Sequence, residues 1–151
     1  MNTNIYEYYV KRKRASKAAE KAASYGSAIA DSTGVARLVR KLIGEDEPRE
    51  HLIVLYLDVA HNVVGYNHNA VGAINQVHAY PGEIFRAALL AGAVAIILAH
   101  NHPSGATEPS ASDDALTSQI KAAGHLLGIT LLDHVVVSDT SHYSYAEKRR
   151  L

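Results

Sequence analysis

Short runs of branched and aliphatic residues alternate along this chain with stretches whose apolar residues recur every three or four positions. HLIVLYLD at 51–58, AVAIILA at 93–99 and ITLLDHVVVSD at 129–139 have the length and branching of buried strands. Helical patterns lie before and between them. Asp31, Ser32 and Thr33 suit an N-cap, Val35, Leu38, Val39 and Leu42 follow at helical spacing, and Gly44 is a natural stop. Pro81 can open a second helix, because the first helical position needs no amide hydrogen; Ile84, Ala88 and Leu89 then share a side. A third helix is expected from Ser110 to Leu127, with Leu116, Ile120, Ala123 and Leu127 on one face and Gly128 closing it. Further strands are expected at 63–67, around 76–79 and in HYSYAE at 142–147. The alternation predicts an α/β class with helices covering a central sheet.

The 151 residues suffice for one domain. With 48% apolar and 20% charged residues the chain can bury a core, so disorder along its whole length is excluded. There is no cysteine, which removes disulfides, thiolate zinc sites and a cysteine nucleophile together. Lys plus Arg balance Asp plus Glu at 15 each, unlike proteins that coat nucleic acid through excess positive charge. Residues 1–31 stand apart as a basic arm: Lys11, Arg12, Lys13, Arg14, Lys17 and Lys21 face only Glu7 and Glu20 in the first 21 positions. A solvated arm and a nucleic-acid contact are both open there, and the folded domain is expected over 32–151. No signal-peptide core precedes it, and the longest apolar run, 87–99, is short and broken by Gly92, so a cytoplasmic location without a membrane partner is expected.

The chemistry should sit in the polar loop after AVAIILA. His100 and His102 are two apart at a strand end, and strand alternation sends i and i+2 to one face. Pro103, Gly105 and Pro109 can fold the loop back so that Asp113, in the first turn of the next helix, approaches both rings. Two imidazoles and a carboxylate make a three-ligand set for Zn²⁺ that leaves one position for water, whose pKa zinc lowers to about 7. A histidine pair also serves simply to cap a loop, and Ser110 with Asp113 has the spacing of a capping box. Asn101 should point the other way, toward the core or a backbone partner.

His100-Asn101-His102-Pro103-Ser104-Gly105, followed by Pro109-Ser110 and Asp113, resembles the JAMM motif of MPN+/JAB metallopeptidases. The form AHNHPSG with PS-x-x-D is similar to the RadC-like JAB family. REHLIVLYLD, Asn62, GAIN at 72–75, EIFRAAL and LLGITLLDHVVVSD extend the likeness over about residues 32–151. The resemblance implies a mixed central β-sheet flanked by helices, in an MPN/JAB (cytidine-deaminase-like) architecture. It implies zinc held by His100, His102 and Asp113. It further implies Glu50 as general base on the metal-bound water and proton donor to the leaving amine, and Ser110 as stabiliser of the oxyanion. Where RadC-like proteins usually read V-H-P-R-E, this chain has Ala79-Tyr80-Pro81-Gly82-Glu83, which bears on substrate preference. The helix-hairpin-helix region of full-length RadC proteins would not fit in the residues before position 32. Asp133 and His134 match the family and read as a buried pair bonded to each other or to backbone; His51, His61, His68, His78, His125 and His142 read as structural or solvated.

The expected function is a zinc-dependent hydrolase of the JAMM type, a metallopeptidase or isopeptidase acting on a peptide or protein. The alternative is a DNA-repair-associated or non-catalytic binding protein that keeps the metal site, with the basic arm touching phosphates. A zinc deaminase needs H-x-E with P-C-x-x-C and is set aside for want of cysteine. An exposed helix and an edge strand leave room for a homodimer.

Overall fold

The structure, a computed structural model, describes residues 31–44, 47–72, 79–102 and 104–151. In chain order the elements are α1 (Ser32–Ile43), β1 (His51–Leu57), β2 (Val63–Val71), α2 (Pro81–Ala91), β3 (Ala95–Asn101), α3 (Ala111–Leu127), β4 (Thr130–Val137) and β5 (His142–Ser144). The five strands form one sheet in the order β2-β1-β3-β4-β5. β1 runs antiparallel to β2 and β3, β3 and β4 are parallel, and β5 returns antiparallel to β4. A parallel pair needs a long crossover, and α3 supplies it. The expected mixed sheet flanked by helices is the observed one.

Side-chain alternation sorts the core into two layers. Leu52, Val54 and Tyr56 of β1 and Ile96 and Leu98 of β3 meet Ile84, Phe85 and Ala88 of α2 and Leu116 and Ile120 of α3. Ile53, Leu55, Leu57, Ile97 and Ala99, joined by Val135 and Val137 of β4, meet Val35, Leu38 and Val39 of α1 on the other face. Covered on both faces, β1 is buried at every residue, which is why it reads as a continuous apolar run rather than an alternating one.

Local chemistry sets the helix ends. Asp31 Oδ1 accepts from Gly34 N at the start of α1, and Gly92 and Gly128 take left-handed conformations after α2 and α3. Ser32 Oγ lies against His142 Nε2 and donates to Glu147, tying α1 to the C-terminal turn.

β4 is trimmed to Thr130–Val137 from the expected 129–139, and three other strands differ from the sequence expectation. β2 is longer, reaching Val71, because it follows β1 along its whole length. β3 starts at Ala95, since Ala93 N still donates to Ala88 O and Val94 N to Leu57 O, and it continues through Asn101. β5 stops at Ser144, where Tyr145 N turns back to His134 O. Of the strand expected at 76–79, residues 76–78 lie outside the described residues and Ala79 is not in a strand; the arm at 1–30 lies outside them too. Among the described residues no helix is long and apolar enough to cross a membrane.

One irregularity positions the site. Along the parallel β3/β4 pair, Ile96 faces Leu131 but Ile97 faces Asp133, so Leu132 is skipped. A one-residue slip reverses the faces of everything beyond it. Leu131 thus belongs to the α2/α3 side, Val135 and Val137 to the α1 side, and His134 to the side of Leu98 and His100.

Candidate metal centre

His100 is the penultimate residue of β3 and shares the α2/α3 face with Ile96 and Leu98, at 0% exposure. His102 stands just past the strand; its N donates to Val137 O at 2.9 Å, which prolongs the β3/β4 pairing. Asp113 arrives from above on α3. Ser110 caps that helix: its Oγ accepts from Asp113 N at 3.2 Å, and its N donates to Asp113 Oδ2 at 2.7 Å. The cap thereby fixes the Asp113 carboxylate, itself 1% exposed, over the two rings.

The result is convergent. His100 Nε2 and His102 Nε2 are 3.0 Å apart. Asp113 Oδ1 lies 3.3 Å from His100 Nε2, and Oδ2 lies 3.7 Å from His102 Nε2. One ligand atom from each residue falls within 4.8 Å of the others, so the three could hold a metal ion. The proton inventory fits a cation. A carbonyl can only accept, so the 2.9 Å contact from His102 Nδ1 to Ala106 O puts the ring's proton on Nδ1 and a lone pair on Nε2. That lone pair meets a carboxylate and a second ring nitrogen, and an N₂O donor set suits zinc among other divalent ions.

The carboxylate and the imidazole beside it each favour the charged form of the other. The neighbouring Asp113 carboxylate raises the His102 imidazole above its ordinary value against the opposing effect of burial, and the charge of Glu50 adds to the rise. Burial pushes the Asp113 carboxyl up, yet its neighbours His100, His102 and Ser110 outweigh it and hold the group far below the usual carboxylate range. Asp113 and Asp114 also sit in the first turn of α3, where the helix dipole favours negative charge.

Glu50 is not one of the converging three. It precedes β1, half-buried, and its charge reaches His102. Asn101 organises this corner: its Oδ1 accepts from His51 N at 2.7 Å and its Nδ2 donates to Arg49 O at 3.0 Å, the backbone partnership expected for it. Ser110 Oγ donates to Asp113 Oδ2 at 2.7 Å, so here its proton serves the carboxylate. A cleft of about 250 Å³ opens beside His102, lined by Arg40, Glu47, Pro48, Asn101 and Ser138 among others.

The sequence reading missed His134. Asp133 is indeed bonded to backbone, its Oδ1 accepting from His134 N and Ala146 N, and to Ser144 Oγ through Oδ2. The His134 ring, however, lies against His100: Nε2 is 2.8 Å from His100 Nδ1. Only the skipped Leu132 turns it there, and no local sequence signal announces that slip. Of the other histidines, His51 packs edge-on to His68 with ring centroids 5.6 Å apart, and His78 lies outside the described residues.

Fold and site together define an α/β domain with two strand-end histidines and a helix-start aspartate gathered as a candidate metal centre. The chain belongs to the RadC-like JAB domain family, whose model matches residues 29–150. It is 46% identical over 107 residues to a UPF0758 protein of Pasteurella multocida, covering 71% of this chain and 48% of that one. It is 48% identical over 103 residues to a UPF0758 protein of Halorhodospira halophila, covering 68% and 46%. The match thus spans about half the length of these curated relatives.

Proposed function

We propose that this domain is a zinc-dependent hydrolase of peptide or isopeptide bonds, of the JAMM type. The observation that carries the reading is the convergence of His100 Nε2, His102 Nε2 and the Asp113 carboxylate within 4.8 Å. Those three residues would hold the ion. Bound there, zinc would supply an acidified water and a Lewis acid for the carbonyl. Glu50, whose charge is felt at His102, takes a proton from the attacking water and returns it to the leaving amine. Ser110 Oγ, 2.7 Å from Asp113 Oδ2, serves the developing oxyanion by turning its proton from the carboxylate toward the substrate.

The test is metal analysis of protein purified without chelator, followed by assay against peptide and isopeptide substrates. One zinc per chain, lost in the H100A/H102A double variant together with cleavage, is the expected result. Wild-type protein that binds no zinc, or a double variant that still binds it, overturns the reading.

A further inference from the structure

We propose that His134 is a positioning residue which, through Thr117, presets the tautomer of His100 so that His100 Nε2 faces the centre as a bare lone pair. The inference rests on the reading of His100 as a metal ligand. It extends that reading to two residues outside the ligand set.

A buried chain of contacts fixes where the protons lie. It begins at the Asp113 main-chain carbonyl, which can only accept. Thr117 Oγ1 lies 2.6 Å from it, one helical turn further along α3. Two oxygens at that distance require a hydrogen between them, and Thr117 has only one to offer. The same Oγ1 lies 2.6 Å from His134 Nδ1. With the hydroxyl hydrogen committed, Nδ1 must be the donor, and His134 carries its proton there. Were the hydroxyl turned toward His134 instead, its lone pairs would face the Asp113 carbonyl at hydrogen-bond distance with no hydrogen between.

His134 is fully buried, and its two ring nitrogens meet a hydroxyl and another imidazole rather than a carboxylate, so a charged ring has no counter-ion there and the ring is neutral. A neutral ring with its proton on Nδ1 has an acceptor at Nε2. That acceptor is 2.8 Å from His100 Nδ1, which must then donate. His100 is left with a bare Nε2, aimed at His102 Nε2 and Asp113 Oδ1. Ligand histidines are often oriented by a carboxylate or carbonyl behind them. Here a second histidine stands in that place, and the carbonyl that fixes its polarity belongs to Asp113, a member of the ligand set. Tyr145 keeps the His134 ring in plane, stacked at 5.1 Å and 9°, with its hydroxyl donating to Asp114.

The deciding experiment reads tautomers in metal-free protein at mildly alkaline pH by long-range proton–nitrogen NMR of the imidazoles, alongside zinc affinity. Wild type is expected to show the Nδ1–H form at both His100 and His134. H134L should weaken zinc about 10- to 100-fold. H134Q, whose amide oxygen can still accept from His100 Nδ1, should recover most of that loss, a rescue that a merely structural role would not single out. T117V should release the His134 tautomer and fall between wild type and H134L. An Nε2–H form at His100 in metal-free wild type, or H134Q binding no better than H134L, overturns the proposal. If H134L does not fold, the wild-type tautomers and T117V decide alone. Wild type with the expected tautomers but no zinc affinity would sink the hydrolase reading while leaving the proton relay standing.

Discussion

Leu52 on β1 lies directly across from His100 on β3 in the antiparallel register. Glu50 lies two residues before Leu52, just ahead of β1, and His102 two residues after His100, so continuing the same antiparallel register sets the acid opposite His102. Its charge is felt at His102. E50Q keeps the size of the side chain and removes its basicity. Cleavage should fall about 10²- to 10⁴-fold, the usual worth of a general base, with zinc content unchanged. Metal analysis beside an activity assay separates the two; loss of zinc from E50Q would make Glu50 a ligand instead.

Ser110 holds both the helix start and the Asp113 carboxylate. S110A should lower unfolding free energy in urea by about 1 kcal/mol, the usual worth of an N-cap hydroxyl. S110T keeps a hydroxyl and should restore that stability. A variant as stable as wild type would show that the capping box contributes nothing here.

His134 predicts a pH dependence in metal-free protein. Its folded pKa lies well below 6.5, so the unfolded chain takes up a proton that the folded one refuses. Its contribution is therefore present above pH 6.5 and lost as pH falls below it, at up to about 1.4 kcal/mol per pH unit. His102, whose pKa is raised, works the other way in the same region. The comparison that isolates His134 is wild type against H134Q in denaturant melts from neutral to acidic pH. The H134Q curve should be flatter on the acid side; parallel curves would contradict a buried neutral imidazole.

Gly124 on α3 has no room for a methyl group. A Cβ there would clash with the Ile129 carbonyl oxygen, which is backbone, and would meet Phe85 Cζ at 3.3 Å. G124A should destabilise by about 1–3 kcal/mol despite the better helix propensity of alanine. Chemical denaturation measures it, and a stabilised variant would mean that the turn after α3 yields freely.

The helix ends were legible in the sequence because capping is local chemistry: Asp31 and Ser110 each reach an amide three residues away, and Gly92 and Gly128 supply left-handed turns. β1 was legible because both its faces are covered, and the two imidazoles because they are two residues apart. The limits of β2, β3 and β5 were not, since partner strands and neighbouring turns set them.

The order of strands and helices, the caps and the ligand types were thus determined by the sequence itself, through interactions spanning a few residues. Tertiary structure alone decided which side of the sheet His134 faces and that Glu50 comes to stand by His102. The first depends on Leu132 dropping out of register in the β3/β4 pair, the second on the β1/β3 pairing. Strand alternation has a period of two, so a single skipped residue in a long-range pairing reverses a side chain's face, and no local pattern records it.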